Sequence, residues 1–220
     1  MTDTHDRSLA VPIAAYVLAG GGSTRFGRDK ALAEIAGKPM LARTCELVFE
    51  AVTRDVSAIG AARKYERCGV KCVEDLWQGQ GPLGGILTAL LETAKRASVP
   101  KWNLILSCDM PFLTEEMLVY CVDRANRSEA DVVVPSSARG LEPLCACWRT
   151  SVAGALLAVF EQGVRKISDA MEHFQMEVLD ERDWKRFDSE GRLFWNMNTA
   201  ADYEEARRIL EEAPKERLPR

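Results

Sequence analysis

A short apolar run that ends in three glycines and then turns basic constrains this chain more than any other stretch. Ile13 to Leu18 reads as a buried strand. It leads into Ala19-Gly20-Gly21-Gly22-Ser23-Thr24-Arg25-Phe26-Gly27-Arg28-Asp29-Lys30, and the segment beyond reads as a helix. Glycine tolerates positive φ and lets a backbone approach a ligand closely. Consecutive N–H groups in such a turn form a concave anion site. Arg25 then adds a planar cation and Lys30 a point charge. A plain strand-to-helix connection needs only about 2–6 residues and has no use for this much glycine and charge. A polyphosphate is the anion that fits best. Two common phosphate loops fail on specific residues. Gly22 and Gly27 have P-loop spacing, but Arg28-Asp29 stands where Lys-Ser/Thr is needed. Gly20 and Gly22 match a dinucleotide fingerprint, but Arg25 occupies its third glycine position.

The 220 residues suffice for a real core, with 47% hydrophobic and 28% charged residues, as in an ordinary globular protein. A net charge of −4 argues against general nucleic-acid affinity. No run reaches the ~18 apolar residues of a membrane span. Met1 to Ala10 is polar, lacks a leader's apolar core and is expected to be a mobile tail, so cytoplasm is the default compartment. Seven cysteines, an odd number without any C-x-x-C pair, do not read as a disulfide framework. With only His5 and His173 to help them, they do not form a zinc motif either. Reduced, buried thiols are the expectation.

Taken in order, strands are expected at Val56 to Ile59, Lys71 to Glu74, Trp102 to Ser107, Asp131 to Pro135, Glu142 to Trp148 and Gln175 to Leu179. Helices are expected from about Met40 to Val52 with Pro39 in the first turn, from Ile86 after a glycine loop at Gly79 to Gly85 (a start with Pro82 near the first turn being the other reading), and from Thr114 to about Asn126. Further helices should span Val152 to Gln162, closed by Gly163, then a short one from Val164, and a last one from Thr199. Asp180 to Arg192 reads as surface loop, and the chain beyond Pro214 as a frayed tail. Strands alternating with helices predict a single α/β domain, residues 11–213, with a mostly parallel sheet and helices on both faces.

The strand ending at Ser107 runs straight into Cys108-Asp109-Met110-Pro111. A carboxylate there is costly unless something positive meets it. A magnesium ion carried in by a triphosphate is one partner, and a turn-capping role is the other reading. Asp75 follows the third strand at the edge where ligands of α/β sheets bind. A carboxylate there can accept two N–H donors from one edge of a ligand. Here too the alternative is a turn cap, and the neighbouring Glu74 competes for the role.

The opening resembles the molybdenum cofactor guanylyltransferases, nucleotidyltransferases with a Rossmann-like fold. The matching residues are Leu18-Ala19-Gly20-Gly21, Arg25, Gly27 and Asp29-Lys30-Ala31. The resemblance continues through Gly81-Pro82-Leu83-Gly84-Gly85, Cys108-Asp109-Met110-Pro111-Phe112-Leu113, Pro143-Leu144 and Asn196-Met197-Asn198-Thr199. Ala200 replaces the family's usual proline. These anchors keep the family order from about Ala14 to Tyr203.

The resemblance implies transfer of GMP from GTP to the terminal phosphate of a molybdopterin-type substrate, with Mg²⁺ or Mn²⁺ as cofactor. It implies that Arg25, Lys30 and Asp109 carry catalysis and that Asp109 holds the metal. Leu18, Ala19, Gly20, Gly21, Gly22, Lys30, Asp75, Gly81, Pro82, Leu83 and Asp109 would bind the nucleotide. Pro143, Leu144, Arg165, Lys166, Asn196 and Asn198 would face the pterin, although Arg165 and Lys166 also read as a solvated helix start. Transient contact with molybdenum-insertion and acceptor proteins is implied; nucleic acid and membrane are not. Rival readings are cytidylyl transfer to the pterin, nucleotide-sugar synthesis, a non-catalytic pterin binder and, last, a redox or metal-storage protein using the cysteines.

Overall fold

The computed structural model describes residues 12–20 and 29–212. Gly21, Gly22, Arg25, Gly27 and both expected tails lie outside the described residues.

Strand β1 (Ile13–Leu18) is buried along its whole length, as its unbroken apolar run requires. Among the described residues, no α-helix stands between Asp29 and Pro39, contrary to expectation. Lys30–Leu32 forms a single 3₁₀ turn capped by Asp29, and a tight hairpin of β2 (Glu34–Ile35) and β3 (Lys38–Pro39) comes next. Ala36 and Gly37 both take positive φ, 49° and 75°, as a two-residue hairpin turn demands. Helix α1 (Met40–Ala51) then begins, with Pro39 as its cap rather than inside its first turn.

Strand β4 (Val56–Gly60), the short helix α2 (Ala62–Tyr65) and strand β5 (Cys72–Glu74) follow. Helix α3 (Pro82–Ala94) has proline in its first turn, where a missing N–H costs nothing. Strand β6 (Trp102–Ser107) is completely buried. Helix α4 (Glu115–Arg127) is capped by Thr114, whose hydroxyl accepts from the Met117 N–H. Beyond strand β7 (Val132–Ser137) and the short β8 (Gly140–Leu141) lies β9 (Cys145–Arg149). The strand expected from Glu142 therefore starts three residues later. Pro143 and Leu144 form a turn, because Glu142 N–H is drawn to the Pro135 carbonyl and Cys145 N–H to that of Glu142.

Helices α5 (Ala153–Glu161) and α6 (Ile167–Met171) and strand β10 (Met176–Leu179) come close to expectation. The stretch read as surface loop contains α7 (Glu181–Trp184), fixed by a reciprocal capping box between Asp180 and Asp183. Its Trp184 ring is buried edge-on against Phe194. Four residues are too few for a periodic signal. Helix α8 (Ala200–Glu212) closes the described chain.

The main sheet runs β10-β7-β9-β6-β1-β4-β5, with β8 appended to β7. Every pairing along that path is parallel except those of β9, which is antiparallel to both neighbours. The period-2 alternation of β1 divides the core. Ala15 and Val17 join one apolar layer that also takes Leu41 and Val48 of α1 and Leu118 and Cys121 of α4. Tyr16 and Leu18 join the opposite layer with Ile86 and Leu90 of α3 and Leu156 and Phe160 of α5. A smaller third core ties α8 (Tyr203, Ala206) to Ala33, Ile35, Met40 and Met197. No helix among the described residues is long and apolar enough to cross a membrane.

Candidate active site

Parallel strands end together, so the carboxyl ends of β1, β4, β5 and β6 share one edge, where α/β sheets bind ligands. A cleft of about 430 Å³ opens there. Leu18, Ala19 and Gly20 enter it from β1, Ile59, Gly60 and Ala61 from β4, Asp75 from β5, and Ser107 from β6. Gly81, Pro82 and Gly85 close one side with the start of α3. Gly81 caps that helix with φ 84°, and no side chain caps its first turn; Pro82 has no N–H and the Gly84 N–H donates to the Gly81 carbonyl, so only part of the helix start is open to an anion. Expected nucleotide residues Leu18, Ala19, Gly20, Asp75, Gly81 and Pro82 thus converge in one cleft. Leu83 does not; its side chain is fully buried in the α3 core.

Lys30 and Asp109 meet beside this cleft. Lys30 Nζ lies 3.2 Å from Asp109 Oδ2, with both side chains less than one-fifth exposed. The same ammonium donates to Asn198 Oδ1 at 3.0 Å. Asp109 Oδ1 accepts from the Ser107 hydroxyl at 2.6 Å, and the Asp109 carbonyl accepts from Met197 N–H at 2.9 Å. The carboxylate is therefore held from β6, from the 3₁₀ turn and from the segment before α8. That last segment is itself fixed: Asp202 accepts from the N–H groups of both Asn198 and Thr199 at 2.8 Å, and Thr199 accepts from Asp202 N–H. Burial works against ionisation of Asp202, but these hydrogen bonds and the Lys30 charge outweigh it and hold the carboxyl below its usual range.

Asp29 sits at the other side of Lys30. Its Oδ1 accepts from Ala31 N–H at 2.9 Å. Its Oδ2 accepts from the Tyr65 hydroxyl at 2.9 Å and from Lys64 Nζ at 2.5 Å. Asp75 uses Oδ1 for Trp77 N–H (2.9 Å) and the Thr88 hydroxyl (3.1 Å), so the turn-cap reading is realised on that oxygen. Its Oδ2 has no hydrogen-bond partner among the described residues. Glu74 is committed elsewhere, accepting from Ala62 N–H and from the Gln78 amide.

Of the residues expected to face the pterin, Leu144 lines the cleft, with Pro143 beside it in the turn. Asn198 reaches Lys30, while Asn196 is half-buried two residues away. Arg165 and Lys166 stay outside the cleft. Arg165 is spent on Gln80, the Phe160 carbonyl and the Phe160 ring face, and exposed Lys166 pairs with Asp169. The site also contains Ser107, Lys64 and Tyr65, which the sequence reading did not include. Ser107 had a signal: it ends β6 two residues before Asp109, within reach of that carboxylate across the turn. Phe112 and Trp195 stack 5.4 Å apart with planes 4° from parallel, between the Asp109 turn and the Asn196 segment.

All seven cysteines are free. Burial, with Asp109 next in importance, pushes the Cys108 thiol far up; burial also raises Cys45, to about 12. Both thiols are therefore protonated at neutral pH and poor nucleophiles or ligands.

Comparison with known proteins decides the family. The model of the MobA-like NTP transferase domain matches residues 15–176. The chain belongs to that family. A protein of Rhodopseudomonas palustris named molybdenum cofactor guanylyltransferase is 32% identical over 89% of this chain and 92% of its own length. A probable molybdenum cofactor guanylyltransferase of Pelotomaculum thermopropionicum is 29% identical over 89% of this chain and 92% of its own. Among solved structures, molybdopterin-guanine dinucleotide biosynthesis protein A of Archaeoglobus fulgidus superposes with a TM-score of 0.75 at 26% identity, covering 90% of this chain and 98% of that one.

Proposed function

We propose that this chain transfers GMP from GTP to the terminal phosphate of a molybdopterin-type substrate, releasing pyrophosphate and forming the guanine dinucleotide cofactor. The observation that carries this reading is the Lys30–Asp109 pair beside a nucleotide-sized cleft, in a MobA-like chain.

The nucleophile is a phosphate monoester oxygen, already largely ionised at neutral pH because its second pKa is about 6. No strong general base is needed, and neither His5 nor His173 belongs to an anchor motif. Catalysis is then alignment and charge neutralisation. Lys30 neutralises triphosphate charge, joined by Arg25. The open N–H groups at the start of α3 and the backbone at Gly20 approach the nucleotide. Asp75 would accept from the guanine edge through Oδ2, since its Oδ1 is committed to Trp77 N–H and the Thr88 hydroxyl.

The donor set near Asp109 fits a magnesium ion, with manganese as its substitute. Hard carboxylate oxygen suits Mg²⁺, which is often held by one or two protein carboxylates while substrate phosphates and water complete its octahedron. Among the described residues no group of three or more His, Cys, Asp or Glu could hold a metal, so those residues form no cage, and substrate phosphates and water would complete the ion's shell. When bound, the ion supplies positive charge at the phosphates. Asp109 would be the residue that holds it, and Lys30, no longer needed by that carboxylate, would be free for the triphosphate. The product is a cofactor destined for another protein, so the reading includes transient contact with molybdenum-insertion and acceptor proteins, in the cytoplasm.

The test is pyrophosphate release from GTP, CTP or ATP in the presence of Mg²⁺ and molybdopterin. Release with GTP alone is expected. Preference for CTP would favour cytidylyl transfer, pterin-independent release with a sugar phosphate would favour nucleotide-sugar synthesis, and pterin binding without turnover would favour a carrier.

A further inference from the structure

We propose that Tyr65 is a positioning residue for Lys30: its phenol, acting through Asp29, fixes the turn from which the lysine reaches the triphosphate. This rests on the reading of Lys30 given above. Lys30 starts a 3₁₀ turn of only three residues. One such turn closes few hydrogen bonds and has little stability of its own. Its position therefore depends on its cap, and the cap is Asp29 Oδ1 on Ala31 N–H. The other oxygen of Asp29 is anchored across the cleft mouth by α2, through Tyr65 and Lys64.

The two anchors are unequal. Lys64 is half-exposed, and an ion pair at such a site contributes little. Tyr65 is 2% exposed, and its ring packs in the same apolar layer as β1 and α1. Burial and the Asp29 charge both raise its phenol, so the hydroxyl remains the donor at neutral pH. The backbone makes room for this ring. A Cβ on Gly60 would lie 2.1 Å from the Ala19 carbonyl oxygen and 2.8 Å from Tyr65 Cε2. The glycine thus lets the end of β4, the end of β1 and the ring close together. A path of contacts runs from the sheet edge through the ring and Asp29 to the turn bearing Lys30.

Tyr65→Phe keeps the ring and removes only the hydroxyl, leaving Asp29 with Ala31 N–H and Lys64 as partners. The experiment measures GTP binding with Mg²⁺ by calorimetry, and guanosine binding by competition. Four proteins are compared: the parent, Tyr65→Phe, Lys30→Ala and the double variant. Tyr65→Phe is expected to weaken GTP about fivefold, inside the twofold to 150-fold range seen for coupled neighbours. Guanosine affinity should not change, and in the Lys30→Ala background the Tyr65→Phe effect should vanish. An equal effect in both backgrounds, equal weakening of guanosine, or no effect on GTP would each overturn the proposal. Lys30→Ala with undiminished GTP affinity would instead overturn the underlying role of Lys30, a result read directly from that single variant.

Discussion

Replacing Asp109 by Asn tests the charge exchange at the centre of the site. In the free protein, Lys30 and Asp109 neutralise each other across 3.2 Å, and both are mostly shielded from water. A triphosphate arriving without metal must take Lys30 away from that carboxylate. A charge-assisted hydrogen bond in such surroundings is worth about 1.5–3 kcal/mol. Asn keeps an oxygen for the Ser107 hydroxyl but removes the charge, so most of that competition disappears. Metal-free GTP should then bind about tenfold more tightly or better, since 1.4 kcal/mol is a factor of ten. Turnover with Mg²⁺ should be lost at the same time, because the carboxylate proposed to hold the ion is gone. Without ligand the variant should melt lower, by roughly 2–4 °C for each kcal/mol in a chain of this size. Calorimetry in EDTA, the pyrophosphate assay and a thermal melt read these three effects. Unchanged or weaker metal-free binding would refute the exchange, and near-normal Mg²⁺ turnover of the folded variant would remove Asp109 as metal ligand.

Asp75→Ala should lose most of its preference for GTP over ATP, tenfold or more, while retaining Mg²⁺–triphosphate binding; preference that survives there but collapses in Glu74→Ala would assign the base contact to the wrong carboxylate. Iodoacetamide on the native protein should reach the half-buried Cys68 and Cys72 before the fully buried Cys145 and Cys147, and Cys108→Ser should keep most of its turnover; loss of activity with intact GTP binding would show a role for that thiol. Asp202→Ala should cost about 1 kcal/mol by removing the carboxylate half of the α8 capping box, seen as a lower Tm. Because the folded Asp202 carboxyl is held below its usual value, its stabilisation is complete above about pH 4 and is lost as the pH falls through the folded value. Asp202→Asn should therefore flatten the acid limb of the stability profile, and an unchanged limb would refute the assignment.

The sheet strands were legible because their signals are local. Ile13 to Leu18 is an unbroken apolar run and Trp102 to Ser107 is apolar except at Asn103 and Ser107, the composition of a short strand buried on both faces. Thr114 and Thr199 announced helix starts through caps that depend on three or four consecutive residues. Where elements were too short for a period, local reading failed. Sequence alone predicts a helix where the 3₁₀ turn at Lys30 lies, a loop at α7 and a strand through the Pro143-Leu144 turn. The antiparallel direction of β9 had no signature in its own residues, since direction is set by the neighbours on either side.

The site divides along the same line. Sequence alone determined which residues could handle a nucleotide: the glycine-rich opening, Lys30, Asp75, the Gly81-Pro82 helix start and Asp109 all stand where chain-local chemistry favours an anion or a base edge. It also offered Arg165 and Lys166, whose charge is visible in sequence but whose commitment to Gln80, Phe160 and Asp169 is not. Tertiary structure decided the partners. It joined Lys30 to Asp109 and to Asn198, 168 positions away, and joined Asp29 to Tyr65, 36 positions away. Such pairings follow from the sheet order, which brings strand ends together however far apart they lie in the chain. The physical reason is range: capping, periodicity and turn chemistry act over a few residues, whereas an ion pair or buried hydrogen bond requires only that two groups meet in space.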